Sequence, residues 1–192
     1  MKMKMDEKYK VVFNGHDYFF DLMKIGDHSA IAVFDALSNI KMANDACEDM
    51  IKVLKEHGLE ENSFDTILTA ESKSVTMAAY IANHFNKDLV ILRKKKRDFF
   101  KEVISAESST FTTHGSSTLY LDVTNNKKYL ENKKVLIFDD VISTGSSLKA
   151  INEILQKVNA NIVGKAFIFN EGDAVREENV YYVHDLPIIE VD

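Results

Sequence analysis

The sequence is poor in cysteine and proline, and it has no excess of positive charge. Among its 192 residues there is one cysteine, Cys47, so the chain can form neither an internal disulfide nor a cysteine-based zinc site. One proline and seven glycines are too few for a collagen-like or low-complexity chain. The formal net charge of −6 disfavours a general nucleic-acid binder, because affinity for phosphate backbones depends on excess Lys and Arg.

Long apolar runs and several common motifs are also missing. No stretch approaches the ~18 apolar residues that a transmembrane helix needs, and Met1–Lys10 lacks the apolar core of a signal peptide. We therefore expect a cytoplasmic protein without a membrane partner. The sequence contains neither HExxH nor GxxxxGK[ST], so neither a zinc protease nor a P-loop NTPase is indicated.

The chain does have the length of one packed domain, and its elements alternate. Hydrophobic residues make up 45% of it, as in an ordinary globular protein. Alternating strands and helices predict an α/β fold with a parallel central sheet flanked by helices, where ligands bind beyond the carboxyl ends of the strands. The predicted helices are Ala43–His57, Val75–Phe85 and Leu148–Val158, and the predicted strands are Asp65–Ala70, Leu89–Arg93, Val135–Phe138, Ile162–Phe169 and Val180–Val183.

The N-terminal region follows a different pattern. An Asn-Gly pair separates the β-prone runs Tyr9–Phe13 and Tyr18–Met23, which predicts a hairpin because both turn residues tolerate positive φ. Ser29–Phe34 could add a third strand. We interpret residues 1–42 as a small β-rich appendage to one domain that spans residues 1–192.

The most informative segment is Val135–Ser147, with the sequence VLIFDDVISTGSS. An apolar strand leads into Asp139 and Asp140, which can accept hydrogen bonds from sugar hydroxyls or from a metal-bound water. The small residues of Ser143–Ser147 then enter a helix, where free backbone N–H groups and hydroxyls suit a phosphate. A strand, a turn and an ordinary capped helix are the simpler alternative, but the whole arrangement favours phosphate–sugar binding.

This segment resembles the motif of type I phosphoribosyltransferases that binds 5-phosphoribosyl-1-pyrophosphate (PRPP). The resemblance implies that Asp139 and Asp140 hold the ribose hydroxyls. It implies that the 5′-phosphate is held by the loop residues Ser143, Thr144, Gly145, Ser146 and Ser147. It also implies an α/β core over residues 43–192, with a mobile loop at about 98–118, and an N-terminal hood over residues 1–42.

A second resemblance covers Asp65–Arg97 and is to the purine members, above all the adenine and xanthine enzymes. It implies that pyrophosphate is contacted by two groups of residues, namely Glu71, Ser72, Lys73 and Ser74 after one strand, and Arg93, Lys95 and Arg97 after the next. The family often has glycine where this chain has Ser74. The simpler alternatives are a solvated charge run and a surface lysine, although a cation at a helix start is better explained by an anionic ligand.

A third resemblance is to the loop that closes over the active site of these enzymes. Ser105–Thr118 contains nine Ser or Thr in fourteen residues, a composition that also fits a disordered connector. The adenine enzymes carry an acid in this loop, whereas the aligned residue here is Phe111. That residue is closer to the xanthine enzymes and to the PRPP-binding domain of the purine repressor.

The resemblance therefore implies an enzyme that transfers phosphoribose from PRPP to a purine base and releases pyrophosphate. Asp139, Asp140, Lys73, Arg93 and Arg97 would be its catalytic residues. Mg²⁺ would be bound mainly through PRPP and pyrophosphate, without an assigned protein ligand, and the protein would form a homodimer. A non-catalytic PRPP-binding regulator is the main alternative, and a hydrolase-like or RNA-binding use of the fold is a weaker one. The motifs do not identify the base, although the missing acid favours a 6-oxopurine such as xanthine over adenine.

Overall fold

The computed structural model of the chain describes residues 2–108, 117–172 and 178–191, which contain four helices and thirteen strands. The helices are α1 (Ile40–Glu56), α2 (Ser74–His84), α3 (Val123–Leu130) and α4 (Ser146–Lys157). The strands are β1 (Lys2–Met3), β2 (Tyr9–Phe13), β3 (His16–Phe20), β4 (Leu22–Lys24), β5 (Ser29–Ala32), β6 (Thr66–Ala70), β7 (Asp88–Leu92), β8 (Val103–Ser108), β9 (Ser117–Asp122), β10 (Lys134–Ile142), β11 (Asn161–Glu171), β12 (Val180–Leu186) and β13 (Ile189–Val191). None of the helices in these ranges is long and apolar enough to cross a bilayer.

The central sheet has five parallel strands in the order β12-β11-β10-β6-β7. Every residue of β6 is buried, as expected for a parallel strand that is covered on both faces. The predicted parallel α/β sheet is therefore confirmed, and its carboxyl edge is the place to look for a ligand site.

The helices cover the two faces of this sheet. On one face, α1 and α2 bury Met50, Leu54 and Met77 in a core that continues into the N-terminal strands. On the other face, α4 buries Leu148 and Ile151 in a second core, which includes α3 and the pair β8–β9. The buried apolar residues of α1 and α4 thus lie on the face of each helix that packs against the sheet.

Cys47 belongs to the first of these cores. Its side chain is fully buried, its Sγ lies 3.7 Å from the Met77 carbonyl oxygen, and burial raises the pKa of its thiol to about 12. A thiol that stays protonated at neutral pH is a poor nucleophile. Cys47 is therefore a packing residue.

The predicted N-terminal hairpin is confirmed, but the third strand is not part of it. Asn14 and Gly15 turn between β2 and β3 with φ angles of 49° and 78°. The run that was predicted to continue to Met23 breaks after β3, and β4 pairs instead with β5 in a second sheet of order β1-β13-β5-β4. This sheet takes β13 from the end of the chain, a long-range pairing without a local sequence signal. The division of the domain at residue 42 stays a prediction.

The segment that was interpreted as a loop is partly a second hairpin. Strands β8 and β9 pair antiparallel, so Ser105–Ser108 lies in a strand. Residues 109–116, with Phe111 and most of the predicted lid, lie outside the described residues. Backbone hydrogen bonds of 2.8 Å in both directions between Arg93 and Tyr120 attach this hairpin to the end of β7.

An aromatic cluster fixes the N-terminal strands above the central sheet. Phe13, Phe20 and Phe34 are buried, and each packs against the ring of Phe169 near the end of β11. The closest pair is Phe34–Phe169, with ring centroids 5.1 Å apart. Edge-on aromatic packing of this kind adds to the burial of apolar area. It holds the N-terminal strands over the β11 end of the carboxyl edge.

Candidate functional site

Strand β10 is longer than predicted, because β11 accompanies it further than β6 does. Its pairing with β6 ends at Ile137, whereas its pairing with β11 continues to Ile142. The strand was predicted to end at Phe138, and the structure corrects this end by four residues. Asp139 and Asp140 therefore lie in the strand beyond its last pair with β6, near the turn that leads from β6 into α2.

A chain of hydroxyl groups connects this turn with Asp139. Thr69 Oγ1 lies 2.8 Å from Ser74 Oγ, and Ser74 Oγ lies 2.5 Å from Ser72 Oγ. The Ser72 hydroxyl then donates to Asp139 Oδ1 over 3.2 Å. Thr69 and Ser74 are fully buried, so this chain is a fixed part of the core that supports the carboxylate.

Asp139 is held in an unfavourable electrostatic state. Burial, and then the charge of the adjacent Asp140, raise the pKa of Asp139 well above its usual range. The Asp140 backbone N–H donates to Asp139 Oδ1 over 3.0 Å, which offsets only part of this effect. A ligand that donates hydroxyl hydrogens, or that brings positive charge, would stabilise the ionised pair.

The loop after β10 has the geometry of an anion site. Gly145 precedes α4 with φ 72° and ψ 5°, a left-handed conformation that glycine adopts without steric penalty. No side chain caps the helix, so the backbone N–H groups of its first turn have no side-chain acceptor. A phosphate at this position would accept those N–H groups and would lie at the positive end of the helix dipole.

This loop and Asp139 line one pocket of about 60 Å³. Its walls include Val141, Phe167 and the five predicted phosphate-loop residues, Ser143, Thr144, Gly145, Ser146 and Ser147. Thr144 Oγ1 donates to Ser146 Oγ over 3.2 Å. The structure therefore brings together the acid and the small-residue loop that the sequence predicted as the ribose and phosphate sites.

A cationic cluster lies beyond β6 and β7 at the same edge. Glu71 Oε1 lies 3.5 Å from a guanidinium nitrogen of Arg93 and 3.6 Å from one of Arg97. The Lys94 backbone N–H donates to Glu71 Oε2 over 3.0 Å. That hydrogen bond, followed by the two arginine charges, holds the pKa of Glu71 below its usual range. Glu71 thus stays ionised and orients both guanidinium groups.

Two predicted pyrophosphate residues are placed differently. Lys73 stands at the start of α2, but its Nζ donates to the carbonyl oxygen of Phe34 over 3.2 Å. Lys95 is exposed, and no hydrogen bond or ion pair to it is found among the described residues. The predicted contacts of both lysines with pyrophosphate stay predictions.

Sequence reasoning missed several parts of this edge. Thr69 was treated only as part of an apolar strand, although a hydroxyl in such a strand can signal a buried polar network. The carbonyl of Phe34 and the backbone pairing of Arg93 with Tyr120 have no side-chain signature. Both depend on contacts between segments that are distant in the chain.

The site offers few protein ligands for a metal. Among the described residues, no group of three or more His, Cys, Asp or Glu side chains is arranged to hold an ion. The adjacent carboxyl groups of Asp139 and Asp140 remain as oxygen donors. Such a pair suits Mg²⁺, which takes one or two carboxylates and completes its shell with water and substrate phosphates.

Comparison with known proteins gives a consistent result. Residues 34–190 match the family model of the phosphoribosyl transferase domain. A xanthine phosphoribosyltransferase of Alkaliphilus metalliredigens is 27% identical over 140 residues, which cover 72% of this chain and 67% of the relative. A hypoxanthine/guanine phosphoribosyltransferase of Methanothermococcus okinawensis is 30% identical over 158 residues, with coverage of 81% and 79%. The predicted family is therefore confirmed.

The fold is also found among solved structures. The crystal structure of adenine phosphoribosyltransferase from Rhodothermus marinus superimposes with a TM-score of 0.65 and 19% sequence identity. The match covers 87% of this chain and 94% of that protein. The fold class predicted from the alternating pattern and the motifs is confirmed, whereas the three relatives are named for different bases.

Proposed function

Since the chain belongs to the phosphoribosyl transferase domain family, we propose that it transfers phosphoribose from PRPP to a purine base and releases pyrophosphate. One observation carries the proposal. The pocket that contains the Ser143–Ser147 loop also contains Asp139, so that hydrogen-bond donors suited to a phosphate lie next to an acceptor suited to sugar hydroxyls. An ordinary helix start or an ordinary acid pair, each without a ligand, would not explain why the two share one pocket.

The remaining groups fit the charges that this reaction develops. A ring nitrogen of the base forms a bond to the anomeric carbon and the base releases a proton to solvent, while the bond to pyrophosphate breaks and pyrophosphate leaves with the electron pair. Arg93 and Arg97, oriented by Glu71, lie where they would stabilise the leaving anion. Asp139 and Asp140 would hold the ribose hydroxyls while positive charge grows on the sugar. Most of the rate enhancement would come from positioning and electrostatics.

Mg²⁺ is proposed as the cofactor, bound mainly through the oxygens of PRPP and pyrophosphate. Its charge would neutralise the phosphates when they are bound. Of the protein's own groups, Asp139 and Asp140 are the ones suited to contact the ion or its water molecules. Homodimer formation and cytoplasmic location stay predictions. The regulator alternative depended on Phe111, which lies outside the described residues.

A pyrophosphate-release assay tests the proposal. PRPP and Mg²⁺ are supplied with adenine, guanine, hypoxanthine, xanthine, uracil or orotate in turn, and we expect release with at least one purine. Release with orotate or uracil alone would contradict the base class. If PRPP binds in calorimetry but no base causes release, the regulator replaces the enzyme. Asp139→Asn serves as the inactive control for contaminating activity.

A further inference from the structure

The order of strands in the sheet indicates the side from which the base approaches. The predicted pyrophosphate groups follow β6 and β7, and the ribose and phosphate groups follow β10. At the anomeric carbon, the incoming nitrogen must approach opposite the leaving group, because pyrophosphate still covers the other face. Strand β11 borders β10 on the side away from β6. The base should therefore lie over the end of β11, beneath the N-terminal strands that Phe169 anchors.

Two polar side chains stand at the end of β11. Asn170 pairs with Ile142 in the sheet, and its amide Nδ2 donates to Asp185 Oδ1 over 2.7 Å. Glu171 is next, is half-buried and precedes Gly172 at the end of the strand. Within the described part of the chain, its carboxylate has no hydrogen-bond or ion-pair partner. Of the two, only Glu171 has a side chain that no other described residue binds.

The half-buried carboxylate of Glu171, which has no partner among the described residues, is available to a ligand. Burial raises the pKa of Glu171, which means that the protein environment disfavours its charge. A carboxylate that has lost part of its hydration gains from a partner that supplies hydrogen-bond donors. A ligand that supplies N–H donors would replace the lost hydration and would gain binding energy for that reason.

We propose that Glu171 determines base specificity by accepting two adjacent N–H groups, so that the preferred substrate is a 2-amino-6-oxopurine, the class of guanine. The inference rests on the proposed function and refines it. The N1–H and the 2-amino group of guanine lie side by side and match the two oxygens of one carboxylate. Each such hydrogen bond to a charged acceptor is stronger than one between neutral groups.

The other purines present a poorer edge to this carboxylate. Hypoxanthine keeps N1–H but lacks the 2-amino group. Xanthine places a carbonyl oxygen at that position, which repels the carboxylate. Adenine has an amino group next to an unprotonated ring nitrogen, so one of its two contacts is again repulsive. A site that hydrogen-bonds a polar group of its substrate rejects analogues that lack this group. Guanine should therefore have the highest kcat/KM of these purines.

The test compares guanine with hypoxanthine, which differ only in the 2-amino group. For the wild type we expect the ratio of kcat/KM values to favour guanine at least ~10-fold. Glu171→Gln replaces one acceptor by a donor and should bring that ratio close to one, mainly through the KM for guanine. The KM for PRPP should stay within about twofold, since the ribose and phosphate contacts are untouched. Glu171→Asp keeps the charge and should retain part of the preference.

Glu61→Gln, on an exposed loop, is the matched control and should change neither ratio. Melting temperatures identify any variant that fails to fold, and in that case the wild-type ratio and the Asp variant decide the question. A wild type that prefers xanthine or adenine overturns the inference, as does a Gln variant that keeps the wild-type ratio. The proposed function survives both of these results. Absence of pyrophosphate release with every base removes the proposed function, and the inference with it.

Discussion

The two edges of the central sheet differ in how fully their polar groups are hydrogen-bonded. At the amino edge, the groups bond to each other. The Lys134 backbone N–H donates to Asp65 Oδ2 over 2.9 Å, and the buried Thr66 hydroxyl donates to the Tyr129 carbonyl oxygen over 2.6 Å. The Asn159 side-chain amide donates to the Asn132 side-chain oxygen over 2.5 Å. These contacts connect the starts of the strands to the segments that precede them.

At the carboxyl edge, polar groups are buried without full compensation. The ionisation of Asp139 and of Glu171 is disfavoured, and Gly145 adopts a left-handed backbone before an uncapped helix. Burial of a charged group without a partner lowers stability. Proteins keep such groups mainly at functional sites, where a bound ligand supplies the missing partner. We conclude that the polar groups at the amino edge stabilise the fold, whereas those at the carboxyl edge lower its stability and are suited to bind a ligand. Removal of charged groups at the two edges should therefore have opposite effects on stability.

The largest effect is expected from Asp139→Asn combined with Asp140→Asn. Each lost charge-assisted hydrogen bond to ribose should remove ~1.5–3 kcal/mol, so PRPP affinity should fall roughly 10²–10⁴-fold. Stability should nevertheless rise at pH 8, because two like charges are removed from a partly buried site. Calorimetry with Mg²⁺ and PRPP measures the affinity, and thermal unfolding measures the stability. Unchanged PRPP affinity in the double variant would exclude the ribose role.

The pH dependence of the same variant sharpens the contrast. The pKa of Asp139 is raised in the folded state, so its favourable contribution is present below its unfolded pKa of about 3.9 and is lost as pH rises through the folded value. The melting temperature of the wild type should therefore fall relative to that of the double variant as pH increases from 4 to 8. Asp65→Ala at the amino edge should lower stability instead and leave PRPP affinity unchanged.

Glycine substitutions provide a second comparison with nearly equal backbone strain. Gly58, after α1 at the amino edge, has φ 76°, and Gly145 has φ 72°. Alanine in this conformation should lower the free energy of unfolding by ~1–2 kcal/mol at either position. Only Gly145→Ala should weaken PRPP binding, by roughly tenfold, because only Gly145 shapes the phosphate loop. Equal PRPP affinities in the two variants would show that the loop is not the phosphate site.

These contrasts also explain which features could be predicted from the sequence. The phosphate loop was predictable because its chemistry is local, with small hydroxyl residues and a glycine directly before a helix. The hairpin at Asn14-Gly15 was predictable for the same reason, since the turn requires residues that tolerate positive φ. Features of this kind need no knowledge of distant partners.

The missed features depend on distant partners. Strand β13 joins the N-terminal sheet although it lies at the end of the chain, and β9 attaches to Arg93 through backbone atoms alone. The β8–β9 hairpin was hidden by a Ser/Thr-rich composition that resembles a loop. The role predicted for Lys73 could not include its contact with the Phe34 carbonyl, because no local pattern relates the two residues.

A smaller effect is expected from two threonines on the same strand. Thr66→Val removes the bond to the Tyr129 carbonyl, and the unpaired buried group should lower stability by ~1–3 kcal/mol without changing the KM for PRPP. Thr69→Val interrupts the hydroxyl chain that leads through Ser74 and Ser72 to Asp139. It should raise the KM for PRPP or lower kcat. If both variants lose only stability, the hydroxyl chain has no part in the site.

The smallest effect concerns Glu71, an acid at the edge that is proposed to bind an anion. Its carboxylate pairs with Arg93 and Arg97 in the free protein, and it repels any phosphate that approaches them. Glu71→Gln retains an oxygen for the Lys94 N–H but removes the charge, so the arginines should stay near their positions. Pyrophosphate should then bind about threefold to tenfold more tightly at low salt, and the gain should shrink at high salt because the charges are screened.

The control for this change is Glu131→Gln, which removes an exposed acid paired with Lys127 at the end of α3. It should alter neither pyrophosphate affinity nor its salt dependence. Weaker pyrophosphate binding in Glu71→Gln would mean that orientation of the arginines outweighs repulsion by the carboxylate. In that case Glu71 would increase the affinity for pyrophosphate by orienting Arg93 and Arg97. Tighter binding would show that the charge of Glu71, which the fold stabilises, lowers the affinity of this edge for pyrophosphate.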